Sequence, residues 1–291
     1  MPSLDDLKKR IKSVKSTQKI TKAMKMVAAA KLKKAQENAE KARPYSEKMH
    51  NIILNLILSV KDPSNSPKLL VGTGKDEVHL CVILTADRGL CGGFNSNICK
   101  LAKKNFKSII DKGKVLKVIT VGSKGYEQIK RDFGDYIIQN ISYKHKKKIT
   151  FIEAEEIGKL IINLFNENKF DKCTIFFNNF KNVITQVPQA LQIIPAQSNA
   201  EEKSEKDVSY EFEPEEEEIL QELLPKNIST QIYKAFLENS ASEQGSRMTA
   251  MDNATRNAGD LVDKLTINYN RSRQASITKE LIEIISGAES L

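Results

Sequence analysis

From Leu4 onward, apolar side chains recur at alternating steps of three and four. Leu4, Leu7, Ile11, Val14, Ala28, Leu32, Ala35, Ala39, Ala42, Met49, Ile53 and Leu56 all fall on the a and d positions of one seven-residue repeat. The segment has no glycine, and Pro44 is its one internal proline. This predicts a helix of roughly 53 residues, reaching on the order of 80 Å, with a seam for a second helix. Ser3 is suited to cap it, and Asp5 and Asp6 suit the positive end of its dipole. Gln18, Thr21 and Lys25 interrupt the apolar seam, while Ile20, Met24 and Val27 stand off it. The expectation is that the helix turns away from its partner there and faces something else. Pro44 is expected to kink the helix or to be absorbed at a local bend.

The pattern then changes. Residues 62–75, DPSNSPKLLVGTGK, read as a linker. Beyond them, short apolar runs alternate with helical periodicity: strands near 78–86, 115–121, 136–143, 172–178 and 183–194, and helices near 94–111, 123–132 and 152–167. Such alternation predicts a small Rossmann-like α/β domain with a mainly parallel sheet. Residues 200–218 are acid-rich, and Pro214 followed by Glu215 to Glu218 has the composition of a helix start. From there the chain reads as helix to its end, broken by Pro225 and scattered glycines. Met248, Met251, Ala254, Ala258, Leu261 and Leu265 form its apolar stripe. The expected organisation is an N-terminal coiled-coil helix (1–60), a linker (61–77), an α/β domain (78–196), an acidic connector (197–213) and a C-terminal coiled-coil helix (214–291). The fold class is α/β plus a long antiparallel coiled coil, because pairing the two terminal helices buries both seams.

Charge sharpens this picture at one end. The net charge is +9, and residues 1–50 account for all of it, with 14 Lys or Arg against 5 Asp or Glu. An excess confined to one helix implies an acidic partner there: nucleic acid, anionic membrane or protein. Cys81, Cys91, Cys99 and Cys173 lack CxxC spacing and sit among apolar or glycine-rich neighbours, which fits reduced thiols rather than a metal site or a disulfide framework. The longest apolar run, Ile52 to Val60, is too short to span a bilayer, and the first residues lack a signal-peptide pattern, so a soluble chain is expected.

Candidate chemistry is sparse. Asp87-Arg88-Gly89-Leu90-Cys91-Gly92-Gly93 lies between the first strand and a helix, where α/β proteins hold phosphates, yet it matches neither G-x-G-x-x-G nor a P-loop and reads as a tight turn. Gly74-Lys75 lacks the rest of a P-loop. His50, His79 and His145 have no acidic or serine partner at catalytic spacing and are expected on surfaces. Lys144 to Lys148 reads as a solvated basic loop. The basic first helix keeps a nucleic-acid contact open, without the aromatic residues that stacking needs.

Three segments resemble the gamma subunits of F-type rotary ATP synthases, bacterial type. They are IKSVKSTQKITKAMKMVAAAK (11–31), LTADRGLCGGFN (84–95), and ASEQGSRMTAMDNATRNA (241–258) resuming as YNRSRQASITKELIEIISGAES (269–290). The last fits the family signature Ile-Thr-x-Glu-x-x-Glu-x-x-x-Gly-Ala. The resemblance implies a non-catalytic central rotor shaft, without cofactor or metal, that couples rotation of a membrane c-ring to the catalytic beta subunits of a proton-translocating complex. Implied partners are the alpha and beta subunits, epsilon and the c-ring, with no nucleic acid, at the cytoplasmic face of the bacterial inner membrane as a peripheral subunit. Lys22, Met24 and Lys25 match positions facing beta, and Arg247, Arg273, Gln274, Thr278 and Glu280 match polar positions meeting the head. Relatives often carry Glu where this chain has Lys25. The stripe Ile277, Leu281, Ile284 and Ala288 would enter the sleeve at the top of the head.

Overall fold

Runs of β-branched and apolar residues form five strands: β1 (Val78–Leu84), β2 (Val115–Val121), β3 (Ile137–Ile141), β4 (Lys172–Phe180) and β5 (Gln186–Ile194). The computed structural model describes residues 3–59, 67–146, 148–195 and 216–289. The strands form one sheet in the order β3-β2-β1-β4-β5. Parallel pairs join β1 to β2 and β4, and β2 to β3; β5 runs antiparallel to β4. The mainly parallel sheet expected from the alternation is present, and its helices are α3 (Phe94–Asp111), α4 (Ser123–Phe133) and α5 (Phe151–Asn166). The terminal helices are α1 (Leu4–Ser59) and α6 (Glu216–Glu289). Ser3 caps α1, its Oγ accepting Asp6 N–H at 3.1 Å.

The chain divides into two compact units, Ala30–Ser246 and Met1–Ala29 with Arg247–Leu291. In the larger unit both sheet faces are covered, which is why β1 is apolar almost throughout. On one face, Ile98 and Phe106 of α3 and Ile129 of α4 meet Cys81, Ile83 and Val118. Phe106 packs edge-on against Phe133 and Phe176, at 5.3 and 6.1 Å between ring centres. On the other face, Ile157 and Ile161 of α5 and Ile228, Ile232 and Phe236 of α6 cover Leu80, Val82, Leu84 and Ile175. In this unit α6 is therefore a helix of the α/β domain as well as the partner of α1, packing Ala241 on Leu32 and Ala35, and Leu220 and Leu224 on Met49 and Ile53.

Two expectations change. Pro225 does not break α6, which runs through it. The carbonyl deprived of its donor belongs to Gln221, an exposed residue, while Leu224 and Ile228 on either side are buried and hold the helix in place. Pro44 lies within α1, as a proline absorbed into the helix would. The linker contains a short helix, α2 (Lys68–Val71), whose Leu69 and Leu70 pack on Leu220 and Leu224. The acidic connector and residues 61–66 of the linker lie outside the described residues.

The loop before α5 carries a small acid-sensitive device. Glu153 closes a capping box with Thr150, accepting its N–H at 2.6 Å, and binds Lys146 at 2.5 Å. The Lys146 ammonium first, and the Thr150 hydroxyl second, lower the Glu153 carboxyl from about 4.5 to about 2. Because the folded value is depressed, this contribution is complete above about pH 4.5 and disappears as pH falls toward about 2. Glu153→Gln is expected to cost about 1 kcal/mol at pH 7, the gap closing with acidification. Urea midpoints of both proteins at pH 7 and pH 3 check this; a gap independent of pH would contradict it.

Candidate functional site

In the smaller unit α1 and α6 run antiparallel, and their seam is unbroken. Thr21 and Thr255 share a hydrogen bond between hydroxyls at 2.8 Å, and Lys25 Nζ binds Asp252 Oδ1 at 2.5 Å. Asp252 Oδ2 also meets Arg256 at 3.2 Å. Lys25 chiefly, then Arg256, holds the Asp252 carboxyl below its ordinary value. A Cβ on Gly259 would lie 3.1 Å from Gln18 Nε2, so Gln18 faces α6 as well. This corrects the reading of the sequence: Gln18, Thr21 and Lys25 do not turn away from the partner helix. They are polar layers of the same seam, matched by polar residues on α6. The stripe on α6 is corrected too, since Leu261 is 45% exposed whereas Val262 is 8% exposed and sits in the seam.

With the polar layers turned inward, the outward face of α1 carries Ile20, Met26 and Val27, exposed by 57, 61 and 55%. Lys22 is exposed beside them, Met24 is half-buried, and Lys25 is engaged by Asp252. On α6, Arg247 is half-buried, while Arg273, Gln274, Thr278 and Glu280 are exposed. The Thr278 hydroxyl donates to the Gln274 carbonyl at 2.9 Å, and the Ser276 hydroxyl reaches Glu280 at 3.5 Å. The site residues thus form two groups on α6, one near Arg247 and one from Arg273 onward. They are separated by about 25 residues, or ~40 Å of helix. The contacts Thr21–Thr255 and Lys25–Asp252 place Leu4 level with residues close to 273. Beyond that level Ile277, Leu281, Ile284 and Ala288 are exposed, with Ile282 and Ile285 beside them. Sequence reasoning missed Asp252 and Thr255 as partners and Met26 as an exposed side chain.

The Asp87–Gly93 turn is built from protein groups. The Asp87 carboxylate accepts Ser123 N–H at 2.8 Å, the Ser142 hydroxyl at 2.7 Å and Tyr143 N–H at 3.1 Å. Gly122, at φ 100°, leaves no room for a Cβ, which would lie 2.3 Å from the Thr85 carbonyl oxygen. A doubly wound sheet offers its ligand crevice beyond the carboxyl ends of the strands at the switch in strand order, here between β1 and β4. Side chains of α6 fill it. Asn239 donates to the Leu84 carbonyl at 3.3 Å and accepts Asn178 N–H at 3.1 Å. Ser242 donates to the Asn178 carbonyl at 3.1 Å, and Ser246 to the Cys91 carbonyl at 2.7 Å. The place a nucleotide would take is occupied by the helix.

His79 does have an acidic partner: it contacts Asp76 Oδ1 at 2.6 Å. The same carboxylate binds Lys114 at 2.5 Å and Lys172 at 3.0 Å, Lys114 above all holding it well below the usual range. One acid shared by two lysine ammoniums and by an imidazole whose pKa burial lowers ties the sheet together at the amino ends of the strands. Burial pushes the thiols of Cys81 and Cys99 up to about 12 and about 11, far from reactivity.

A family model described as ATP synthase matches residues 3–291. The ATP synthase gamma chain of Pelagibacter ubique is 70% identical over 291 residues, covering the whole of both chains. This chain belongs to the ATP synthase gamma-chain family. A further gamma chain, from Rhizobium etli, is 55% identical over 294 residues, again across both full lengths. Among solved structures, a chain from the central stalk and c-ring of Tetrahymena thermophila mitochondrial ATP synthase superposes with a TM-score of 0.62 and 28% identity, over 81% of this chain and 99% of that one. A chain from the Euglena gracilis mitochondrial enzyme, at 19% identity and a TM-score of 0.67, shares the fold over 99% of this chain and 94% of its own. The gamma-chain fold accounts for both terminal helices and the sheet between them.

Proposed function

We propose that this gamma chain is the central rotor shaft of a proton-translocating ATP synthase. It turns with a membrane c-ring and imposes conformational cycling on catalytic beta subunits, carrying no catalytic site itself. The observation that carries the reading is the paired-helix unit, in which polar layers point inward while Ile20, Lys22, Met26 and Val27 line the outside of α1 and α6 ends in an exposed apolar stripe. Its partners are alpha, beta, epsilon and the c-ring, at the cytoplasmic face of the bacterial inner membrane. Among the described residues no helix is long and apolar enough to cross a membrane, which accords with a peripheral place in the complex. The crevice filled by Asn239 and Ser242 supports the absence of a nucleotide site on this chain.

Lys22, Met24, Arg247, Arg273, Gln274, Thr278 and Glu280 are the proposed contacts with the stator. Lys25 contributes through Asp252, by holding the register of the helix pair that presents its neighbours. Exposed ion pairs are worth about 0–1 kcal/mol, so contacts of this kind form and release at each step without trapping the rotor. Torque then depends on the shape and stiffness of the shaft. Reconstituting the complete complex, c-ring and membrane sector included, into vesicles with and without this chain tests the reading: proton pumping driven by ATP must require the chain, and pumping that survives its omission rules the reading out. Within that system Lys22→Glu is expected to lower pumping per ATP hydrolysed by up to about fivefold, the equivalent of ~1 kcal/mol, with assembly intact. Unchanged pumping would remove Lys22 from the contact set.

A further inference from the structure

We propose that a cavity between α1, α5 and α6, wholly inside the Ala30–Ser246 unit, is a binding site for a small aromatic monoanion. The cavity measures about 230 Å³ and is walled by Ala39, Ala42, Tyr45, Phe151, Tyr233 and Leu237. An apolar cavity of roughly 150 Å³ suffices for benzene, so this one has room for a fused two-ring system. The small side chains of Ala39 and Ala42 create the space, where larger residues would have closed α1 onto α6. Three rings border it. Phe151 and Tyr233 meet edge to face, with centres 5.7 Å apart and planes at 81°, and a flat aromatic guest can extend that arrangement. Tyr45 and Phe151 remain exposed by 57 and 40%, leaving apolar surface in water that a guest would cover.

Charge selects the sign of the guest. Arg43 and Lys234 border the cavity, and neither forms an ion pair with a described residue. The acid at the same rim, Glu238, is already used, its carboxylate accepting Phe180 N–H at 3.1 Å. Two cations without an ion pair among the described residues, against one committed carboxylate, favour a single negative charge, and the planar Arg43 guanidinium can pair with a carboxylate along two parallel hydrogen bonds. The site is independent of the stator contacts, which lie on residues 22–25 and from Arg247 onward.

The test uses the full-length chain and three matched probes: 2-naphthoate, the neutral 2-naphthamide and the cationic 2-(aminomethyl)naphthalene, titrated by fluorescence and by calorimetry. Naphthoate is expected to bind tightest, on the order of fivefold over the amide and further over the amine. Arg43→Gln combined with Lys234→Gln abolishes that preference while leaving amide binding in place. Ala42→Phe fills the cavity and removes binding of all three probes. Ala39→Met fills it from the next turn of α1 and must have the same effect, which guards against a folding defect in either variant. Equal affinity for acid and amine overturns the proposal, as does binding that persists in both filled variants or no binding of naphthoate at millimolar concentration.

Discussion

Asn239→Leu is expected to destabilise the Ala30–Ser246 unit by about 2–5 kcal/mol. Leucine keeps the heavy-atom count and branching of asparagine and is bulkier, so the cost does not come from a cavity. It comes from two buried backbone groups that lose their partner together, the Asn178 N–H of β4 and the Leu84 carbonyl of β1. Each unsatisfied buried group costs about 1–3 kcal/mol. Ser242→Ala provides the contrast, because it removes one donor to the Asn178 carbonyl and should cost only about 1 kcal/mol. Urea unfolding of both variants measures the difference. An Asn239→Leu protein within 1 kcal/mol of its parent would mean that α6 is not what seals the end of the sheet.

Reversing the charge at residue 25 or at residue 252 should weaken the paired-helix unit, and reversing both should restore it. Lys25→Glu places a carboxylate against Asp252, and Asp252→Lys places an ammonium against Lys25 with Arg256 close by. Each single change loses an attraction and gains a repulsion, so both should lower the unfolding midpoint of the unit, and high salt should shrink the loss. The double change rebuilds the pair with its polarity exchanged, so a double-mutant cycle should return most of the loss. The same four proteins, each assembled into the complete membrane complex in vesicles, separate two roles for Lys25. If its part is to set register through Asp252, the exchanged pair pumps protons nearly as well as the parent. Pumping that stays as poor in the double variant as in Lys25→Glu would show that Lys25 meets the stator directly.

The sheet was legible because its signals are local. Apolar runs bounded by glycines and polar residues placed β1, β2 and β4 within two residues of their ends, and Ser3 announced the start of α1. The seam was legible only where it is apolar. A search for apolar spacing passes over Thr21, Lys25, Asp252 and Thr255, since their partners are more than 200 residues away in sequence and nothing nearby reveals that a polar residue is answered by another. The same limit hid Val262 behind Leu261. It also hid the closure of the strand ends, because Asn178, Asn239 and Ser242 look like ordinary polar residues until the helix is laid on the sheet. Pro225 misled for a different reason: local propensity opposed a helix that burial on either side enforces. At the candidate site Lys22 and the stripe from Ile277 onward are exposed, while Lys25 is held by Asp252.

The smaller unit also fixes an order of events during synthesis. More than 200 residues separate Ala29 from Arg247, so the first helix leaves the ribosome long before the segment that will cover its seam. Contacts of such sequence separation close late, after the sheet between them has had time to form. Until then Leu7, Val14 and Ala28 lie open on a strand of chain that carries the protein's entire net positive charge. Fourteen lysines and arginines within the first fifty residues keep that nascent helix apart from its neighbours by mutual repulsion, a protection against premature association that lasts until its partner arrives.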